Sequence, residues 1–449
     1  MKHKPILFVG LIVLLAGQTL QAQQLEEKRP LTLAEAIDLS LKNSHQLKNS
    51  QAKIEEATAA LKEAVEKKLP EASATASYLR LTTANFDLKT KNNNSGTGTA
   101  TPNETPKVSQ AAYGILNASL PIYAGGRIRY GIESSGFLEK AARLDAEDDK
   151  DEVIQTTIEA FATLFKAKTA VRLVKENLAQ SQQRTKDLSN LEKNGLLARN
   201  DLLKAELQSS NIELNLLDAE NNLQLANVNM DLMLGLPTST DLVLDTTGIA
   251  KKDDPRILDD YLQLALTNRK DISALDYRKK AAESGVKSVK GEKYPSLQLT
   301  GGYIAADIPK VLTITNAVNL GLGVSYNISS LWKNKAKLAQ AEARVKQMVA
   351  TEAIVDDNVR LQVNKNYFSL LSYRKKIEVY AKALEQAKEN YRIVKNKFDN
   401  SLATTTELLE ADLAQLQSTL AFTLARADAF VAYNKLLQTA GVLSTELKK

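Results

Sequence analysis

Val359–Phe398 reads VRLQVNKNYFSLLSYRKKIEVYAKALEQAKENYRIVKNKF, and the spacing inside it decides the fold. Val359, Val363, Asn366, Leu370, Tyr373, Ile377, Tyr380, Leu384, Ala387, Tyr391, Val394 and Phe398 follow one another at steps of four and three. All but Asn366 are apolar or aromatic. The stretch is therefore a heptad seam, one stripe of a long helix that a neighbouring helix must cover. Leu409, Leu413, Leu416, Leu420, Thr423, Ala427, Phe430, Asn434 and Leu437 resume the pattern after a break at Asp399-Asn400-Ser401. Two helices and one turn make a hairpin.

The helix breakers repeat this outline upstream. All ten prolines avoid 122–236 and 310–449. Gly195 is the only glycine between Gly136 and Gly235, and none lies between Gly323 and Gly441. Proline and glycine are the residues that interrupt helices. The first stretch is thus a second hairpin with its turn near Asn194-Gly195. Its first arm, Arg127 to Lys193, amounts to about 100 Å of helix at ~1.5 Å per residue.

Elsewhere the period changes to two. Val318, Leu320, Leu322, Val324, Tyr326 and Ile328 alternate with Asn319, Gly321, Gly323, Ser325 and Asn327. Leu297, Leu299, Gly301 and Tyr303 alternate with Ser296, Gln298, Thr300 and Gly302. Each is a strand with one apolar and one polar or small face, close to the ~9–11 residues that cross a bilayer at a tilt. Less regular counterparts occupy 71–83 and 110–123, separated by the polar, turn-rich tract Asn92–Pro106.

The chain is duplicated. LSLKNSHQL (Leu39–Leu47) aligns with LALTNRKDI (Leu264–Ile272) at an offset of 225, which also carries Pro70 onto Pro295. LLKAE (Leu202–Glu206) aligns with LLEAD (Leu408–Asp412) at 206, as do Gly235 with Gly441 and Ile122 with Ile328. The 19-residue difference falls between the paired strands, so the first strand loop is longer. The expected plan is a signal peptide over 1–22, then a first repeat over 23–235 (helix, strands 71–83 and 110–123, hairpin turning near 194–200). A linker over 236–257 leads to a second repeat over 258–441, with strands 295–304 and 317–328 and a turn near 399–406; a tail covers 442–449.

The N-terminus has the form of a secretory signal: Lys2 and Lys4, an apolar run from Ile6 to Ala16, and Leu20-Gln21-Ala22 before the expected cut. Without Lys2 and Lys4 the formal charge of +6 becomes +4, so a pI near 9 is no nucleic-acid footprint. There is no cysteine, hence no disulfide and no lipid-anchor cysteine after the signal. His45 is the one histidine left after His3 is removed. With one histidine and no cysteine, a Cys nucleophile has no residue to use, and a His/Cys metal cluster and a Ser-His-Asp triad are nearly excluded. No Walker-type phosphate loop is present either. The expectation is a non-enzyme with no cofactor and no metal.

Four strands cannot close a barrel, and lipid does not tolerate an open sheet edge. Other copies must supply the closure, and three chains give twelve strands. The expected fold class is mainly α with a small β portion: long antiparallel helical hairpins forming a trimeric α-barrel continuous with a 12-stranded transmembrane β-barrel. Two rival readings stay open on the residues alone. One is a trimeric coiled-coil surface or structural protein of the outer membrane with no transport role, which needs no duplicated strand pair. The other is a soluble periplasmic scaffold with no barrel.

The entry LTLAEAIDLSLKNS, the junction LPIYAGGRIR, the turn NGLLARNDLLKAE and the ending LLQTAG, in this order and with the duplication, resemble the TolC-like outer-membrane efflux proteins. The resemblance spans nearly the whole chain. It implies a homotrimer in outer-membrane lipid with most of the chain in the periplasm, docked to a periplasmic adaptor (membrane fusion) protein and an inner-membrane pump. It also implies adaptor-docking tips at Asn194, Gly195, Leu196, Asn400, Ser401 and Leu402. A narrow acidic entrance falls on Asn200, Asp201, Phe398, Glu407 and Glu410. Ala403 stands where some members carry a locking basic residue. The residues themselves allow plainer roles: turn geometry for Gly195, helix capping for the leucines and acids. Gly125-Gly126 reads as a strand-to-helix bend rather than a phosphate loop. Trp332, just past the last strand, suits a membrane interface or packing under the barrel.

Overall fold

The computed structural model describes residues 28–85, 107–245, 254–309 and 312–447. The signal segment, the 92–106 tract, residues 246–253 of the expected linker and residues 448–449 of the tail lie outside the described residues. The chain divides into two units, one of residues 46–149 and 262–362, the other of the remainder.

The first unit is built on a sheet. Its strands are β2 (Glu71–Asn85), β3 (Lys107–Ala124), β5 (Ser296–Ile308) and β6 (Leu312–Ser325), all antiparallel neighbours in the order β2-β3-β5-β6. The register collects one apolar face: Ala72, Ala74 and Ala76; Leu116, Ala118 and Leu120; Leu297, Leu299, Gly301 and Tyr303; Val318, Leu320, Leu322 and Val324. On β6 these side chains are largely exposed, Leu320 at 80%. The other face holds Ser73, Thr75, Asn117, Ser119, Gln298, Thr300 and Asn319, with Ile115 opposite Ile304 as the exception. Among the described residues the outer edges of β2 and β6 are unpaired. Helices α2 (His45–Glu66) and α6 (Lys270–Gly291) belong to the same unit, together with the first parts of α3 (Arg127–Lys193) and α7 (Ser330–Asp399).

The second unit contains the ends of α3 and α7, their return arms α4 (Arg199–Leu234) and α8 (Thr405–Thr439), and α1 (Leu33–Asn43). It also holds a parallel pair, β1 (Lys28–Leu31) beside β4 (Asp241–Leu244). Leu31 and Leu242 carry that pair into a core with Phe161, Leu164, Met230 and Leu234. In α7 every residue of the 359–398 seam is buried or half-buried, and Asn366 donates to Thr439 Oγ1 at 2.7 Å. The fold is mainly helical, in agreement with the heptad reading.

Several expectations need correction. The last strand ends at Ser325, not at 328. Ser330 N bonds Asn327 O and Ser329 Oγ bonds Asn327 Oδ1, so local side-chain bonding turns the chain toward α7 before the alternation runs out. The neighbouring strand runs on to Ile308, past 304, because Ala306 and Ile308 keep a partner on β6. The expected linker contains β4, and the tail contains the short helix α9 (Leu443–Glu446), where Leu443 is fully buried. The single first helix of each repeat is two: α1 and α2 break at Ser44, and α5 (Leu258–Asn268) and α6 break at Arg269, the same place at the offset of 225. On α8 eight of the nine stripe residues are buried or half-buried, and the departure is local to the start of the helix. Leu413 is exposed, while Leu408, Ala411 and Asp412 are buried.

Candidate functional site

Both helical turns close in the same way, residue for residue, at the offset of 206. Gly195 N bonds Glu192 O at 2.9 Å and Leu196 N bonds Leu191 O at 2.9 Å. Ser401 N bonds Phe398 O at 2.9 Å and Leu402 N bonds Lys397 O at 2.7 Å. This 5→2 and 6→1 pair is a Schellman motif, which needs a left-handed residue at its bend. Gly195 adopts φ +72° and Ser401 φ +62°. Asn194 and Asn400 each donate a side-chain N–H to the carbonyl four residues back, Asn190 O and Asn396 O. In such a motif the apolar residue after the bend commonly packs back on its helix. Here it does not. Leu196 is 73% exposed and Leu402 77%.

Serine in the left-handed region costs roughly 1–2 kcal/mol that glycine does not pay. Part of that gain is lost to the entropy of a free glycine. Ser401→Gly is expected to slow hydrogen exchange at the α7–α8 turn, a local gain of about 0.5–1 kcal/mol, and Gly195→Ser to do the reverse. Equal exchange in all three proteins would sink the strain argument.

Beneath the tips the two hairpins share one apolar cluster: Leu188, Leu202 and Ala205 with Leu191, Leu197, Phe398 and Leu409. Phe398 is thus a packing residue between hairpins. Asn200 is exposed in the first turn of α4, and Asp201 is paired with Lys204 at 3.2 Å. Lys204 also reaches Thr406 Oγ1 of the other hairpin at 3.3 Å. Glu407 closes a capping box: Thr404 N donates to its carboxylate at 2.7 Å, and Glu407 N donates to Thr404 Oγ1 at 3.2 Å. The Thr404 backbone N–H and hydroxyl hold the Glu407 carboxyl below its ordinary pKa. Glu410 is exposed one turn on. Its repeat counterpart is Lys204, so one tip carries a cation where the other carries an acid. The structure brings the two tips together but does not gather their acids into one cluster within a chain.

Below this cluster lies a polar knot that the heptad reading missed. Arg184 Nη1 contacts Asp412 Oδ2 at 3.0 Å with both side chains nearly buried. Arg184 Nη2 donates to the Tyr391 hydroxyl at 3.2 Å, and Asn177 Nδ2 donates to Asp412 at 3.3 Å. Burial pulls the Arg184 pKa down, but the hydrogen bond and charge of Asp412 outweigh it and hold it above the ordinary guanidinium value. The only hint in the sequence was an acid directly beside Leu413 of the apolar stripe.

In the sheet unit, Gly125 and Gly126 form the bend from β3 into α3, at φ +64° and +82°. A Cβ on Gly125 collides with the Gly291 carbonyl oxygen, and a Cβ on Gly291 collides with that of Gly125. The two backbones touch. Trp332 lies in the first turn of α7 and is exposed beside Leu331 and Ile328. Among the described residues no cluster of three or more His, Asp or Glu could hold a metal ion, and no helix is long and apolar enough to cross a membrane.

The family described as Outer membrane efflux protein matches residues 36–236 and 261–442. The chain belongs to this family. Both tips, the glycine bend and all four sheet strands fall inside the matched residues, whereas β1 and β4 fall outside them. Solved outer-membrane channels share the fold of this efflux protein at low identity. The CmeC outer membrane channel of Campylobacter jejuni superposes with a TM-score of 0.76 at 18% identity, covering 93% of this chain and 88% of that one. The outer membrane protein VceC of Vibrio cholerae gives 0.73 at 18%, covering 91% and 96%. The outer-membrane channel OprN gives 0.74 at 17%, covering 91% and 89%. No curated protein matches the sequence significantly.

Proposed function

We propose that this family member is one subunit of a homotrimeric outer-membrane exit duct of a tripartite efflux or secretion system. One observation carries the reading: a four-stranded sheet with a continuous apolar face, a mostly polar opposite face and two unpaired edges. Inside a bilayer each unsatisfied backbone group costs several kcal/mol, so β2 and β6 must pair with other copies. Three chains make a twelve-stranded barrel, apolar toward lipid and polar toward a water-filled lumen. The return arm α4 points to the same conclusion. Leu203, Leu207, Leu214, Leu217, Leu225 and Leu232 are exposed along it at near-heptad spacing, an unfilled seam that a second copy would cover.

Transport through such a duct is passive, and the energy comes from an inner-membrane pump. The exposed leucines Leu196 and Leu402 would dock a periplasmic adaptor, each contributing about 1.5–3 kcal/mol if buried. Glu407 and Glu410 would line a cation-favouring entrance. That reading gains from the exposure of Glu410 and is weakened by the capping role of Glu407.

The native chain lacks cysteine, so single cysteines placed at Thr75 on β2 and Asn319 on β6 form a clean reporter. With a flexible thiol cross-linker, membranes should yield a ladder that stops at three chains. A soluble monomer, or a ladder ending at another number, overturns the trimer. In the assembled protein, Leu196→Asp with Leu402→Asp should cut adaptor retention at least tenfold and leave the ladder intact. Unchanged cation selectivity in Glu407→Gln/Glu410→Gln single channels would remove the acidic entrance.

A further inference from the structure

The bend from β3 to α3 borders a groove of about 850 Å³, within the size range of small-molecule sites. Lys68, Arg129, Lys287 and Lys290 line it with Tyr130 and Tyr294, and no carboxylate lines it. Arg129 and Lys287 both sit over the Tyr130 ring, at 5.9 and 5.7 Å from its centroid. Glu292, which adjoins Gly291 of the groove wall, is taken up by Lys337 at 2.9 Å. None of the four cations has an ion pair among the described residues. All four are exposed. Four unneutralised charges held near one another are a cost unless an anion comes between them.

The place of the groove says which anion. Tyr123, also in its wall, stands opposite Leu297 in register and so lies on the apolar face of the sheet. That face is the one that would meet lipid chains in the duct reading, on which this inference rests. A molecule whose acyl chains lie along Leu297 and Leu299 would put its headgroup at the end of the sheet, among these cations. Exposed Tyr294, Tyr123 and Ile122 at the rim suit the level where tail meets headgroup. The start of α3, with no acidic residue in its first turn, adds free N–H groups and the positive end of the helix dipole.

We propose that this groove binds the phosphate headgroup of an anionic diacyl phospholipid, of the phosphatidylglycerol type, where the sheet meets the helices. Each cation near a lipid phosphate adds to the attraction. The groove therefore selects an anionic over a zwitterionic lipid and fixes the depth of the sheet in the bilayer.

The test uses the full assembly purified in non-ionic detergent and exposed to equimolar phosphatidylglycerol and phosphatidylcholine, with retained lipid counted by native mass spectrometry. Phosphatidylglycerol should be retained at least fivefold over phosphatidylcholine. Arg129→Gln/Lys287→Gln/Lys290→Gln should lose at least tenfold of that retention. Lys365→Gln/Lys382→Gln/Lys388→Gln, on the exposed side of α7, should lose none. If the triple variant does not assemble, Lys287→Gln alone should lose about fivefold. Equal retention of the two lipids, or full retention by the groove variants, overturns the proposal. Displacement of the lipid by millimolar inorganic phosphate would also overturn it, by making the site one for free phosphate. An assembled trimer without lipid preference sinks this inference and leaves the duct intact, whereas failure of the cross-linked ladder sinks the duct.

Discussion

Asp412→Ala is expected to be among the most damaging single substitutions in the helical unit, lowering its stability by about 3–5 kcal/mol. The substitution leaves the Arg184 guanidinium nearly buried, with only the Tyr391 hydroxyl as partner. An ion pair taken out of water gains little net stability, because desolvation cancels most of the attraction. Removing one partner is different, since the remaining charge keeps its desolvation penalty and loses its compensation. Asp412→Leu combined with Arg184→Met should recover most of the loss, since it removes both charges and fills the space with apolar atoms. Urea midpoints of the purified assembly, with hydrogen exchange along α3, α7 and α8, would measure both. If the double variant is as unstable as Asp412→Ala, the damage comes from packing and not from the orphaned charge. The knot joins α3, α7 and α8, so its loss should raise exchange in all three at once.

How much of this was open to sequence reading depended on the range of the forces involved. The 359–398 seam was legible because a helix repeats its inward face by local geometry, and every seam residue is in fact turned from solvent. Asn194-Gly195 and Asn400-Ser401 were legible as turns because the bend chemistry sits within a few residues. The Arg184–Asp412 contact joins residues 228 apart, and no local period announces it. The same contact explains why Leu413 is exposed, since α8 must turn Asp412 inward. β1 and β4 were missed for a related reason. Four residues each, one containing Pro30, they offer too few positions for alternation, and only the burial of Leu31 and Leu242 together makes them a pair. At the tips, sequence reading found the residues but not their commitments. The Glu407 capping box and the Lys204–Thr406 contact depend on which groups the folded turns bring within reach.

Gly125→Ala is the second substitution expected to have a large effect, because among the described glycines Gly125 combines a positive φ with a backbone atom against the new Cβ. The left-handed backbone costs a Cβ-bearing residue roughly 1–2 kcal/mol. The new methyl also meets the Gly291 carbonyl oxygen, which is backbone and cannot rotate away. Overpacking of this kind adds about 1–3 kcal/mol. Gly291→Ala meets the same wall from the other side, without the dihedral cost. At Gly126 the obstacle is the Tyr130 ring at 3.2 Å, a side chain that can shift, and at Gly195 there is open space. The fraction of chain recovered as cross-linked oligomer from membranes should therefore fall most for Gly125→Ala, less for Gly291→Ala, and little for Gly126→Ala and Gly195→Ala. A Gly195→Ala protein as depleted as Gly125→Ala would refute the ordering. The second repeat puts Leu331 and Trp332 where the first has the glycine pair. The sheet explains the difference. β3 is an interior strand, and its exit into α3 must pass the end of α6 leading to β5, so the two backbones meet. β6 is an edge strand, and past its exit the chain meets α6 through side chains, Asn334 donating to Val289 O and Lys337 pairing with Glu292, so Leu331 and Trp332 stay exposed and bulky residues are accommodated. The duplicated halves are thus unequal where their surroundings differ, and in the proposed trimer it is a neighbouring copy's β2 that Leu331 and Trp332 would meet.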